Sequence, residues 1–236
     1  REEKIAELEE VLSKNNTDYK TRRKLAVMLL DSGYTEDAMK HFLYLSKIFQ
    51  EDSGIFYNLG IAYEKMKSFE LAKEAYEKAI EISPQDTDAI YNLGLVLIEL
   101  KNYTYAIECF EKVLQEDNED SNSYFNLGIC YLKKDDLVNA MMNFQNTVDL
   151  NDNDIYAHFY IGNIFKAMGD LDSAREKFNK VLEISPDYSW AYYNLAVIDW
   201  ESGNIAEALE KLDKTLELNP KDIDAYITYA KILSKQ

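Results

Sequence analysis

The triplet Asn58-Leu59-Gly60 decides the fold, because closely related triplets return at a constant interval along the chain. The related triplets are Asn92-Leu93-Gly94, Asn126-Leu127-Gly128, Tyr160-Ile161-Gly162 and Asn194-Leu195-Ala196. Each lies 34 residues after the one before it, without an insertion. A fixed period of this length is typical of a chain built from stacked copies of one supersecondary unit.

Two further columns share this period and predict how each unit packs. The first is small and stands twelve residues after Ala26, which extends the series by one period, and after the end of each triplet: Ala38, Ala72, Ala106, Ala140, Ala174 and Ala208. The second is large, apolar and four residues later: Phe42, Tyr76, Phe110, Phe144, Phe178 and Leu212. Because apolar residues within each period recur at intervals of three and four, each unit reads as two helices. Small residues opposite large ones predict close packing between those helices.

The breaks between helices carry turn residues. Gly33, Gly169 and Gly203 stand inside units, and prolines follow Ser83, Ser185 and Asn219 between units. Proline cannot continue a helix, so the preceding helix ends there. Residues with a hydroxyl begin three of the next helices and are predicted to cap them: Thr87, Ser121 and Ser189.

The pattern resembles the tetratricopeptide repeat, a helix-turn-helix unit of the same length with these aromatic, Leu-Gly, Ala, Phe-like and Pro positions. The resemblance implies an all-α fold, a right-handed α-solenoid of about 14 helices. It predicts six units, at residues 19–52, 53–86, 87–120, 121–154, 155–188 and 189–222. Residues 1–18 read as the second helix of a preceding partial repeat and residues 223–236 as a C-terminal capping helix, all in one solenoid domain.

Charge and hydropathy exclude several classes of partner. The 236 residues include 26 Lys and Arg against 43 Asp and Glu, a net charge of −17. Nonspecific binding of nucleic acid or anionic lipid needs a broad basic surface, so no nucleic acid partner is predicted. The longest apolar run spans residues 25–30, far short of the ~20 residues that cross a bilayer, which predicts no direct membrane insertion.

Little in the sequence indicates catalysis. Cys109, Cys130, His41 and His158 do not form a metal-binding spacing, and no glycine-rich phosphate loop or nucleophile motif occurs. We therefore predict a noncatalytic protein without metal or cofactor. Both cysteines lie in helical apolar patterns and are predicted to be buried and free. His158 is predicted to be a packed side chain, because its column is otherwise apolar or aromatic: Phe56, Ile90, Tyr124, Tyr192 and Tyr226.

The resemblance implies that the first helices of successive units line a concave groove. One groove column would be aromatic: Tyr57, Tyr91, Phe125, Phe159 and Tyr193. The next column would be rich in amides: Asn58, Asn92, Asn126, Tyr160 and Asn194. Because a carboxamide offers both donors and an acceptor, repeated Asn residues could hydrogen-bond the backbone of an extended peptide. The same columns could instead reflect helix packing alone.

Departures from the repeat mark two further candidate regions. Large groove residues gather in the fifth and sixth units, which suggests an anchor for a partner. They are Tyr156, Phe159, Tyr160, Asn163, Lys166, Trp190, Tyr193 and Trp200. In the first unit Lys20, Arg23 and Lys24 place three cations on one groove face, where an acidic end of a ligand could dock. The acidic remainder of the chain favours basic partners.

Asp199 departs from the repeat in the opposite sense, since it stands in a column where burial is expected: Leu29, Tyr63, Leu97, Tyr131 and Phe165. A buried lone carboxylate is costly, so the sequence predicts a local rotation that exposes Asp199 and lets Trp200 fill the gap. A tetratricopeptide subclass that grips the C-terminal carboxylates of chaperones does not fit, because Val27, Asp88 and Asn92 stand where it needs Asn, Lys and Arg.

These observations predict a scaffold that binds an extended peptide or helix of another protein in its groove. The substrate-recruiting arm of a larger enzyme and a structural component of a bacterial envelope or motility assembly stay open as alternatives, as does self-association through the solenoid ends. The compartment is not fixed by the sequence: a cytoplasmic location is the default, and a periplasmic one applies if a leader is removed.

Overall fold

The computed structural model describes residues 1–235 and contains, within them, fourteen α-helices and no strand. The chain is thus an all-α, helical-repeat solenoid. The helices are α1 (Glu2–Lys14), α2 (Tyr19–Asp31), α3 (Thr35–Ile48), α4 (Ser53–Lys65), α5 (Phe69–Ile82), α6 (Thr87–Glu99), α7 (Tyr103–Glu116), α8 (Ser121–Lys133), α9 (Leu137–Leu150), α10 (Ile155–Ala167), α11 (Leu171–Ile184), α12 (Ser189–Glu201), α13 (Ile205–Leu218) and α14 (Ile223–Ser234). The first residues of α2, α4, α6, α8, α10 and α12 coincide with the six expected repeat starts.

The helices fall into two compact units, each of which is described by itself. The N-terminal unit is Arg1–Cys130, and the C-terminal unit starts at Tyr131. We call α2, α4, α6, α8, α10, α12 and α14 first helices, and α3, α5, α7, α9, α11 and α13 second helices. The single solenoid domain expected from the uninterrupted repeat stays a prediction.

The predicted capping residues are wrong by one position. Thr87, Ser121 and Ser189 are the first residues of their helices rather than the residues before them. For α6 the cap is Asp86, whose side chain accepts a hydrogen bond from the Ala89 N–H at 3.1 Å. A carboxylate also offsets the positive end of the helix dipole, which explains why Asp serves here. Other helices begin in the same way, with caps at Asp18, Asp136, Asp154, Asp170 and Asp222.

Each turn from a first to a second helix contains one residue in the left-handed backbone region. Three of them are glycines, Gly33, Gly169 and Gly203, with φ between 83° and 87°. The other three, Lys67, Lys101 and Asp135, adopt φ of 59°. Only glycine adopts this conformation without a steric cost, so the turns are not equally relaxed.

The small-against-large packing predicted from the repeat is confirmed where the geometry is described. A Cβ atom added to Gly60 would lie 2.5 Å from the ring of Tyr76, and one added to Gly94 would lie 2.7 Å from the ring of Phe110. Gly162 faces Phe178 in the same manner, at 2.9 Å. These glycines therefore let a buried aromatic ring of the second helix lie directly on the first helix.

Both cysteines are buried and free, as predicted. Cys109 lies on α7 and Cys130 on α8, both in the N-terminal unit. Burial away from water disfavours the charged thiolate and raises the pKa of each thiol to about 12. Both groups are consequently protonated and unreactive at neutral pH.

Candidate functional site

The predicted groove residues of the N-terminal unit lie on its first helices and are partly exposed. Tyr57 and Asn58 belong to α4, Tyr91 and Asn92 to α6, and Phe125 and Asn126 to α8. None of the six is fully buried. The aromatic ring of each of the first two pairs packs back on a second helix, since Tyr57 contacts Tyr76 at 6.0 Å and Tyr91 contacts Phe110 at 5.6 Å between ring centroids. We call this surface the Tyr–Asn face.

Hydrogen bonds connect neighbouring first helices across the Tyr–Asn face. The Asn92 side-chain amide donates to the Tyr57 hydroxyl at 3.2 Å, and the Asn126 amide donates to the Tyr91 hydroxyl at 3.1 Å. Burial raises the pKa of both Tyr57 and Tyr91, so their hydroxyls stay protonated. Each bond joins residues 35 apart and ties one repeat to the next.

These bonds use the amide donors that the sequence predicts for a ligand. Asn126 also donates to its own helix at the Asn122 carbonyl, at 2.9 Å, and Asn58 donates to the Gly54 carbonyl at 3.0 Å. In contrast, no described donor contacts the side-chain oxygens of Asn58, Asn92 and Asn126. The Tyr–Asn face therefore presents amide oxygens, which accept hydrogen bonds, rather than amide donors.

The first helices of the C-terminal unit use different contacts in the same columns. Phe159 has no hydroxyl, and the side-chain oxygen of Asn194 accepts instead from the Lys166 ammonium at 3.0 Å. The Asn194 amide donates to the Trp190 carbonyl at 2.8 Å. Burial lowers the pKa of Lys166. The next pair along the column, Tyr193 and Thr228, is joined by a hydroxyl–hydroxyl bond of 3.0 Å.

Aromatic side chains dominate the first helices α10 and α12 of the C-terminal unit. We call the surface formed by Tyr156, Phe159, Tyr160, Trp190 and Tyr193 the aromatic face. Tyr188 lies edge-on to Tyr156 at 6.2 Å and to Phe159 at 5.4 Å, and Tyr160 stacks on Phe144 at 5.1 Å. Tyr156 is 55% exposed and Trp190 is 50% exposed, although both are large aromatic residues. Such half-exposed rings on a supported base are typical anchors for a partner.

The other predicted residues of the aromatic face are less accessible. Asn163 and Tyr160 are partly buried, and Asn194 is buried. Trp200 is covered by the Lys235 ammonium, whose Nζ lies 5.3 Å from the ring centroid. Tyr156 and Trp190 are thus the two members of the predicted set that offer the most aromatic surface.

Lys20, Arg23 and Lys24 lie together on α2 at the start of the N-terminal unit, as their spacing predicted. Arg23 is not free: its guanidinium donates two hydrogen bonds to the Asp52 carboxylate, at 2.5 and 2.8 Å. This pairing lowers the pKa of Asp52 and raises the pKa of Arg23. Lys20 and Lys24 are exposed and have no described carboxylate oxygen within 4.0 Å.

The predicted exposure of Asp199 is wrong. Its side chain is 2% exposed and lies between two second helices that supply cations. The Arg175 guanidinium of α11 donates to one carboxylate oxygen at 2.6 Å, and the Lys211 ammonium of α13 donates to the other. The charge is paired rather than exposed, which removes the reason for a local rotation. The overlooked signal was Arg175, one of two cations in a column that is otherwise apolar; the other members are Met39, Lys73, Ile107, Met141 and Leu209.

His158 is a packed side chain, as predicted. It is 2% exposed, and its Nε2 atom lies 2.7 Å from the Asp152 carbonyl oxygen. Within residues 1–235 no group of three or more His, Cys, Asp or Glu side chains could hold a metal ion. No helix among those residues is long and apolar enough to span a membrane.

Comparison with known proteins places this geometry in a family. Two models of the tetratricopeptide repeat match the chain, one over residues 165–232 and the other over residues 54–86 and 87–120. No curated protein sequence matches significantly.

Three solved structures illustrate the similarity of the fold. YrrB, described as a TPR protein with an unusual peptide-binding site, is 29% identical with a TM-score of 0.65, over 79% of this chain and 96% of its own. MamA from Desulfovibrio magneticus RS-1 is 26% identical with a TM-score of 0.70, over 73% of this chain and 97% of its own. Pseudomonas aeruginosa PilF, at 18% identity and a TM-score of 0.73 over 92% of this chain and 97% of its own, is similar in fold alone.

Proposed function

We propose that this chain, which belongs to the tetratricopeptide repeat family, binds a peptide or helix of another protein along its first helices. Proteins built from these repeats are generally noncatalytic interaction scaffolds, and membership of this family supports the same role for this chain. The observation that carries the proposal is the pair of half-exposed aromatic rings on the aromatic face, at Tyr156 and Trp190. YrrB, a similar protein with an unusual peptide-binding site, supports the same use of the fold.

Each face would contribute a different kind of contact. The side-chain oxygens of Asn58, Asn92 and Asn126 on the Tyr–Asn face can accept hydrogen bonds from the backbone N–H groups of a peptide. Every peptide residue other than proline supplies one such group. Tyr156 and Trp190 on the aromatic face can bury apolar side chains of the partner, which supplies most of the binding free energy in typical interfaces. We therefore assign sequence-tolerant contacts to the first face and affinity to the second.

The proposal is tested by selecting peptides from a random displayed library on the whole chain and measuring how variants bind the selected peptides. We expect Tyr156→Ala with Trp190→Ala to weaken binding by at least about tenfold, since two exposed anchors are removed. Both side chains are half-exposed, so this change leaves the helical core intact.

The matched control is Val138→Ser with Met142→Ser. These side chains are 78% and 54% exposed on α9, a second helix of the same unit. The control should bind within about twofold of the unchanged chain. Selected peptides that lose affinity equally in both variants, or in the control alone, would show that the first helices do not form the binding surface.

A further inference from the structure

A pocket at the start of the N-terminal unit combines exposed cations with apolar surface. Its volume is about 450 Å³, and its lining comes from Arg1 and from one side of α2. The α2 residues are Lys20, Arg23, Lys24, Val27, Met28 and Asp31. Val27 is 37% exposed although it is apolar. The pocket is a built recess with a charged end and an apolar middle.

The charge of the pocket is not balanced by the residues around it. Arg23 is satisfied by Asp52, whereas no described carboxylate lies within 4.0 Å of Lys20 or Lys24. The local excess of positive charge distinguishes the pocket, because Arg1, Lys20 and Lys24 are exposed there and Asp31 is the one acidic residue in its described lining. Such a cluster of cations stands out in a chain of net charge −17.

We infer that this pocket binds an acidic segment of a partner protein, with carboxylates on Lys20 and Lys24 and an apolar side chain on Val27 and Met28. The inference rests on the proposed function and names the chemistry of one part of the partner. Charge complementarity selects this occupant, because the ammonium groups are donors without acceptors.

The lining also sets the direction of the segment. Lys20 and Lys24 are one helical turn apart, about 6 Å, which matches carboxylates two residues apart on an extended peptide. Asp31 lies at the other end of the pocket and repels a carboxylate there. The acidic residues should thus lie over Lys20 and Lys24, and the apolar residue should follow toward Val27.

The test uses the whole chain and a fluorescently labelled twelve-residue peptide of Asp, Glu and Leu, with binding measured by fluorescence anisotropy. A second peptide with Asn and Gln in place of Asp and Glu controls for apolar contact. We expect Lys20→Gln with Lys24→Gln to weaken binding of the acidic peptide by at least about tenfold, as two contact ion pairs are lost. Lys40→Gln with Lys47→Gln, the same charge change on α3 of the same unit, should alter binding by less than about twofold.

Several results would overturn the inference. The inference fails if the acidic peptide shows no saturable binding, if the neutral peptide binds equally well, or if the two pairs of lysine variants weaken binding equally. Sedimentation of the chain alone separates another occupant: self-association abolished by Lys20→Gln with Lys24→Gln would assign the pocket to a second copy. The proposed function is tested with the library-selected peptides and the pocket with the acidic peptide, so the two can fail separately.

Discussion

The Tyr–Asn face and the aromatic face are built from the same repeat columns, yet they present different chemistry. In the N-terminal unit Tyr57 and Tyr91 receive hydrogen bonds from Asn92 and Asn126, and amide oxygens remain available. In the C-terminal unit Phe159 has no hydroxyl, and Asn194 is occupied by Lys166 and its own helix. A single missing oxygen atom thus changes which groups of the next helix are available to a partner.

Helix packing explains the residue types that repeat every 34 residues, and a residue that departs from its column brings new side-chain contacts. Asp199 illustrates this point, because one carboxylate in an apolar column is accompanied by cations on both neighbouring second helices. The N-terminal unit contains no counterpart, since Leu29, Tyr63 and Leu97 occupy that column. Each unit can be followed by its own residues in experiments. Both cysteines lie in the N-terminal unit and can be labelled, and both tryptophans lie in the C-terminal unit and fluoresce.

The largest effect is expected for thiol labelling of the N-terminal unit. With a pKa of about 12, Cys109 and Cys130 should react with an alkylating reagent at pH 8 roughly 10³-fold more slowly than an ordinary thiol. Labelling should reach the ordinary rate in denaturant, as followed by mass spectrometry over time. Rapid labelling of the folded chain would show that the N-terminal unit opens freely around these two cysteines.

Removing the buried carboxylate should destabilise the C-terminal unit. We expect Asp199→Ala to lower the free energy of unfolding by about 2 kcal/mol, because two ion pairs to a buried carboxylate are lost, while the partly exposed Arg175 and Lys211 can still reach water. Urea unfolding followed by the fluorescence of Trp190 and Trp200 measures the change. Asp187→Ala, at an exposed position, should cost less than about 0.5 kcal/mol. Equal effects of the two changes would mean that the ion pairs contribute nothing specific.

Enlarging the small column should affect both units, but the N-terminal unit more. Gly94→Ala places a methyl group 2.7 Å from the Phe110 ring and should cost about 2 kcal/mol. Gly162→Ala, with 2.9 Å to Phe178, should cost somewhat less.

Combining Gly94→Ala with Phe110→Leu recreates the Ala196 and Leu212 pair of the sixth repeat. The double variant should recover part of the stability lost in Gly94→Ala, measured by thermal unfolding. Strictly additive losses would contradict the small-against-large packing of these columns.

The smallest effect is expected at the turns with left-handed backbone. Lys101→Gly should stabilise the N-terminal unit by up to about 1 kcal/mol, because a side chain is strained at φ of 59°. Gly203→Lys should destabilise the C-terminal unit by a similar amount, since an added Cβ meets nothing within 4 Å and only the backbone is affected. Unfolding midpoints in urea test both changes, and a shift of the same sign for both would contradict this role of backbone strain.

Much of the fold could be predicted from the sequence alone, because its signals are local and repeated. The 34-residue interval predicted where the first helices α2 to α12 begin, and the Gly and Phe columns predicted which side chains interlock. The helix caps were missed by one residue: at Thr87 and Ser121 an Asp precedes the hydroxyl residue and both types can cap, whereas α12 begins after Tyr188 without a side-chain cap. The site was predicted only as a set of columns: these residues lie on the first helices, their use as a binding site stays a prediction, and the partners of their hydrogen bonds could not be predicted.

The sequence by itself determined the helical repeat, the burial of the cysteines and His158, and the positions of the candidate faces. The tertiary structure alone decided that the Asn donors are used within the protein, that Arg23 is paired with Asp52, and that Asp199 is buried. The physical reason is the distance along the chain over which the contacts act. Periodicity expresses contacts between neighbouring turns of one helix, whereas Arg175, Lys211 and Tyr91 reach their partners across helices, where the direction of each side chain depends on the packing of the whole unit.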